Sequence, residues 1–135
     1  MDTNKTEISI ELHKIADNLT QIDVNHIYTN SNFPSRKTQL VLFFSYDSLV
    51  GITDYMNNIE KTVINGWNET TDKLLNKLEP NKKQRVPSQE VQKEARIALL
   101  SALLNIPRKE VIALLALKNV WKRCFFNEFL HFKTT

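Results

Sequence analysis

Only two glycines, Gly51 and Gly66, occur among the 135 residues. Glycine-rich phosphate loops are therefore nearly excluded, and so is a series of tight hairpins that relies on glycine for positive φ. A single cysteine, Cys124, rules out an internal disulfide. Its apolar, aromatic surroundings read it as a small core residue in a reducing compartment. The first residues, MDTNKTEISIELHK, lack a basic start followed by an apolar run, so no secretory signal is read there. Long hydrophobic runs are missing too. The most apolar stretch, Ile97 to Leu117, is interrupted by Pro107, Arg108, Lys109 and Glu110, which argues against a membrane span. Together these absences give the expectation of a cytoplasmic location.

Site chemistry is equally sparse. The three histidines, His13, His26 and His131, are far apart and not at ligand spacing, so neither a metal nor a cofactor is expected. His13 and Asp17 read as an i,i+4 helix pair. Glu7 with Glu11, and Glu90 with Glu94, read as solvated helix surface. With no positioned nucleophile, base or paired carboxylates, the expectation is that the chain is not an enzyme.

What is present suits a folded domain: 41% of residues are apolar and 24% are charged. Charge is uneven along the chain. Residues 1–72 hold five Lys/Arg and ten Asp/Glu, a net of −5, whereas residues 73–135 hold thirteen and five, a net of +8. Such polarity suits a phosphate, an acidic partner, or pairing between the two halves.

Apolar spacing points to helices. Ile8, Leu12, Ile15 and Leu19 recur at helical intervals after Thr6, and residues 25–37 read as a loop. Leu40 to Tyr46 suits either a buried strand or a buried helix. The helix is favoured, because no partner strand is evident. Leu49, Ile52, Tyr55, Met56 and Ile59 continue a helical face, and Leu74, Leu75 and Leu78 extend it. EPNKKQRVP, residues 79–87, marks an exposed linker and an internal boundary of a single domain spanning 1–135. A helix then opens at Ser88, whose hydroxyl suits a cap, and buries Val91, Ala95, Ala98, Leu99, Ala102 and Leu103. Asn105, a residue that tolerates the left-handed conformation of a tight turn, and Pro107 separate it from a last helix running to about Phe132. The expected fold class is all-α: a compact bundle of four to six helices with a helix-turn-helix-like hairpin near the C-terminus.

Within Ile97 to Ala116 the spacing resembles the helix-turn-helix class. Ser101 and Asn105 fill the small and turn positions, and Leu100, Leu104, Ile106, Val111 and Leu114 fill the buried ones. The resemblance covers those twenty residues alone. It implies a nucleic-acid-binding function, for which the basic candidates are Lys82, Lys83, Arg85, Arg108, Lys109, Lys118, Lys122 and Arg123. The outward positions Ile112, Ala113 and Ala116 are poor base readers, since they offer only apolar contact to thymine methyls. The favoured function is instead a non-catalytic helical protein–protein interaction module, homo-oligomeric or an adaptor. Its interface would use Ile112, Leu115, Phe126 and Leu130, which give the last helix apolar character on two sides. The expected partner is a second copy or another protein, with nucleic acid as the alternative and no membrane.

Overall fold

The computed structural model describes residues 5–30, 33–64 and 68–117. Its main feature is a sheet of five antiparallel strands in the order β1-β2-β3-β4-β5. The strands are β1 (Lys5–Ala16), β2 (Leu19–Asn30), β3 (Phe33–Ser45), β4 (Ser48–Asp54) and β5 (Ile59–Thr62). Two α-helices follow, α1 (Glu69–Leu78) and α2 (Ser88–Leu104), with a short 3₁₀ turn at Lys82–Gln84 between them. Residues 108–117 are helical and are called α3. No helix among the described residues is long and apolar enough to cross a membrane.

The fold is thus mixed, and the expected all-α bundle of four to six helices is wrong. So is the helical interaction module built on it, because the first half of the chain is sheet. The physical reason lies in the periods. Ile8 and Leu12 are four apart, which suits one helical turn and also two strand repeats. With Ile10 between them the pattern is a strict alternation against Glu7, Ser9, Glu11 and His13, the signature of a strand. Asp47 to Lys61 forms β4, a turn and most of β5. The strand reading of Leu40 to Tyr46 holds for Leu40 to Ser45, whose partners are β2 and β4.

Scarce glycine did not prevent hairpins. Asp17-Asn18 joins β1 to β2, and Tyr46-Asp47 joins β3 to β4. Tyr46 and Asn58 take the left-handed conformation directly, at φ 52° and 54°. Asparagine tolerates that region because its short polar side chain bonds locally. Gly51 serves another purpose: a Cβ there would lie 3.0 Å from Leu78 Cδ1 and 3.6 Å from Phe43 Cδ2, so its bareness lets α1 approach β4.

Packing follows from composition. On α2, Val91, Ala95, Ala98 and Ala102 form a buried stripe of mostly small side chains. Small residues bring the helix axis close to Leu40, Leu42, Val50 and Ile52 of β3 and β4, and Val24 of β2 joins the same core. The helix lies over β3, β4 and β5. Its expected serine cap is not used: Pro87 occupies the capping position and makes no side-chain bond. Its C-terminal end is as expected, with Asn105 left-handed at φ 55°. At α1 the cap is polar and shared. Asn68 Oδ1 accepts from the Thr71 backbone N–H and hydroxyl, and Asn18 Nδ2 donates to Ser45, Asn68 and Thr71. One cluster thereby ties two strand ends to the start of a helix.

The 79–87 segment is exposed through residues 80–84 and then anchored. Val86 bridges Val63 in parallel fashion, and the buried Arg85 donates to Glu79 O, Ile64 O and Asn76 Oδ1.

Candidate functional site

The sheet is wider than its helical cover. Ile10 and Val24 are directly opposite on β1 and β2, as are Leu12 and Ile22, and Ile8 and His26. These residues share the face on which α2 packs, since His26 Nε2 lies 3.2 Å from the Ala102 carbonyl oxygen. Val24 is buried at 1% exposure, yet Ile10 is 60% and Leu12 is 69% exposed. Ile8 is also exposed. An apolar row three side chains long therefore stands on the outermost strand, beyond the helix. Among the described residues the backbone of β1 is paired on one side only, because β1 ends the sheet. Such an edge offers free N–H and C=O groups over its length.

The opposite face of the same two strands is charged. Glu11 and Asp23 are opposite each other, and His13 Nε2 lies 3.2 Å from Asp23 Oδ2 and 3.5 Å from Glu11 Oε2. Gln21 Nε2 donates to Asp23 at 2.9 Å. Arg36 pairs with Glu11 as well. Arg36 sits opposite Ile27, four positions along β2 from Asp23. Asn25 is fully buried, accepts from the Thr38 hydroxyl at 2.7 Å, and leaves its Nδ2 unpaired. The ligand atoms of Glu11, His13 and Asp23 lie within 4.8 Å of one another, a spacing open to a metal ion. Arg36 already supplies a counter-charge there, and of the three only His13 is exposed, Glu11 and Asp23 being half-buried.

A cleft of about 380 Å³ lies where the turn between α2 and α3 meets the β4–β5 turn. Its polar groups are largely committed to the fold. Asp54 accepts from the Met56 and Asn57 backbones and from Asn57 Nδ2. Ser101 Oγ donates to the Ile106 carbonyl at 2.6 Å. Arg108 donates twice to the buried Glu94, at 2.7 and 3.2 Å. That bond is the chief reason the Arg108 guanidinium is held above its ordinary pKa, with burial acting the other way.

The residues expected from the sequence are scattered. Lys82, Lys83 and Lys109 are exposed, whereas Arg85 and Arg108 direct their donors inward. Of the expected buried positions in the helix-turn-helix pattern, Val111 is buried but Leu104 and Leu114 are exposed. Ile112 is exposed and Leu115 is half-buried. Lys118, Lys122, Arg123, Phe126 and Leu130 lie outside the described residues. The apolar row on β1 was missed as a site. Its signal was the alternation through Ile8, Ile10 and Leu12.

The chain matches no family model, no curated protein and no solved structure. Its function must be read from this surface.

Proposed function

We propose that the chain is a non-catalytic binding protein whose partner is a polypeptide, held along the uncovered strip of β1 and β2. The exposed row Ile8, Ile10 and Leu12 on an edge strand carries this reading. A polypeptide strand is the ligand that answers both features of that strip. Its backbone completes the free edge, and its alternate side chains meet the apolar row. A nucleic acid answers neither. The charged face of the strip has Glu7, Glu11 and Asp23 against Arg36 and His13, which does not attract phosphate.

A photo-reactive residue placed at position 10 or 12 tests the reading in the source cells, with position 77 on exposed α1 surface as control. Adducts to polypeptide are expected from 10 and 12 and not from 77. No adduct from either strand position would overturn it.

A further inference from the structure

We propose that the polypeptide held at this edge is a second copy of the same chain, joined β1 to β1 antiparallel about a two-fold axis through Ile10. The inference rests on the binding role assigned to the strip and goes further by naming the occupant and the register.

β1 is complementary to itself about an axis at Ile10. A two-fold axis normal to the sheet keeps each face matched to itself, so residues facing across the axis must share a face. With the axis at Ile10, the apolar row meets its own copy: Ile8 faces Leu12, and Ile10 faces Ile10. On the other face Glu7 stands opposite His13, and Ser9 opposite Glu11. Neighbouring registers fail on charge. With the axis at Ser9, Glu7 faces Glu11 twice. With the axis at Glu11, two Glu11 carboxylates face each other and Ile8 faces Lys14. Like charges directly opposite destabilise a strand pair, whereas opposite charges and apolar pairs stabilise it. The preferred register uses residues 7–13, the middle of a strand that runs from Lys5 to Ala16.

The assembly explains two features of the monomer together. It pairs the free backbone of an edge twelve residues long, the kind of edge that proteins otherwise shorten or cover. It also makes one apolar band from two rows that are each open on one side. The product is a continuous ten-stranded sheet with a copy of α2 on either side of the band.

Light scattering or sedimentation of the full chain over a concentration series tests this. The expected species has twice the 15.7 kDa mass of one chain. His13→Glu sets carboxylates opposite Glu7 at two symmetry-related places and should weaken association by roughly tenfold. Glu7→His added to it exchanges the two side chains and should restore association. Ile10→Lys sets two ammonium groups on the axis and should abolish it. Circular dichroism at low concentration checks that each variant keeps its fold. A monomer throughout the series would overturn the proposal. Association indifferent to these exchanges, or lost only in the pair Phe126→Asp with Leu130→Asp, would also overturn it. Adducts at positions 10 and 12 to a different protein, with the chain itself monomeric, would sink the self-pairing and leave the binding role standing.

Discussion

Val24 and Ile10 face the same way on neighbouring strands and stand opposite each other, yet one is buried and the other lies mostly in water. Both are β-branched and both suit a strand. The difference is the reach of α2, which lies over β3, β4 and β5 and extends toward β2 only as far as His26. A strand's own composition does not decide its burial; the element packed across it does. The sheet therefore has a stabilising region under the helix and a region free for other work at its first edge.

The largest test of that contrast compares one residue from each region in dilute solution. Leu40→Ala removes a side chain that is 1% exposed at the centre of the core. It should cost about 2–5 kcal/mol in urea unfolding, from lost transfer energy and the cavity left behind. Ile10→Ser should change the stability of the monomer by no more than about 0.5 kcal/mol. A large cost for Ile10→Ser at a concentration where the chain is monomeric would mean that some part of the same chain covers the row.

Next in size is the pair that holds α3 to α2. Glu94 is 3% exposed and accepts two hydrogen bonds from Arg108, with Lys61 Nζ at 4.0 Å. Glu94→Gln removes the charge and one acceptor, leaving Arg108 without its counter-ion. A loss of about 1–3 kcal/mol is expected. Backbone amides of residues 109–117 should exchange faster with solvent while those of β3 do not. Equal protection in α3 would show that Val111, which is also buried, holds it alone.

These two regions differed in how readable they were. The span of α2 is legible because it is long, contains three alanines, and ends at Asn105-Ile106-Pro107. Its buried stripe at Val91, Ala95, Ala98 and Ala102 follows directly from the 3.6 period. β1 is ambiguous because Ile8 and Leu12 satisfy both periods, and only Ile10 between them breaks the tie. The two strands are coupled: a helical reading of β1 leaves β3 without an evident partner, and so favours a helix there too. Counting glycines misled as well, since Asp17-Asn18 and Tyr46-Asp47 turn the chain without one. The apolar row of the candidate site is legible in the alternation through Ile8, Ile10 and Leu12, but its exposure is not. An apolar row on a strand looks the same whether or not a helix crosses it, and only the topology shows that α2 stops short.

A smaller effect belongs to the joint between the sheet and α1. Asn68→Ala removes the acceptor for the Thr71 backbone N–H and hydroxyl and for Asn18 Nδ2. Loss of such a cap costs about 1 kcal/mol. The change should appear in thermal unfolding and be largely recovered by Asn68→Asp, which keeps the acceptor. If Asn68→Ala is neutral, the bond between Ser45 and Thr71 at 2.9 Å suffices to hold the helix start.

The smallest expected effect is on the charged face of the open strip. His13 is about half exposed and meets Glu11 and Asp23 at 3.5 and 3.2 Å. Exposed pairs of this kind contribute roughly 0–1 kcal/mol, because water already screens the charges and holding long side chains costs entropy. Removing the imidazole by His13→Ala leaves Arg36 on Glu11 and Gln21 on Asp23, so neither carboxylate loses every partner. The stability of the monomer should fall by less than about 0.5 kcal/mol, within the usual range for surface changes. Added salt should shrink that difference only slightly, since these contacts are much shorter than the screening length of about 10 Å at 0.1 M. The same substitution should weaken self-association, where His13 meets Glu7 across the two-fold. A variant that leaves unfolding in dilute solution unchanged while lowering the mass seen at high concentration separates the two regions most sharply, because it touches assembly without touching the fold. A loss of monomer stability as large as that of Leu40→Ala would instead place the charged face among the elements that hold the sheet together.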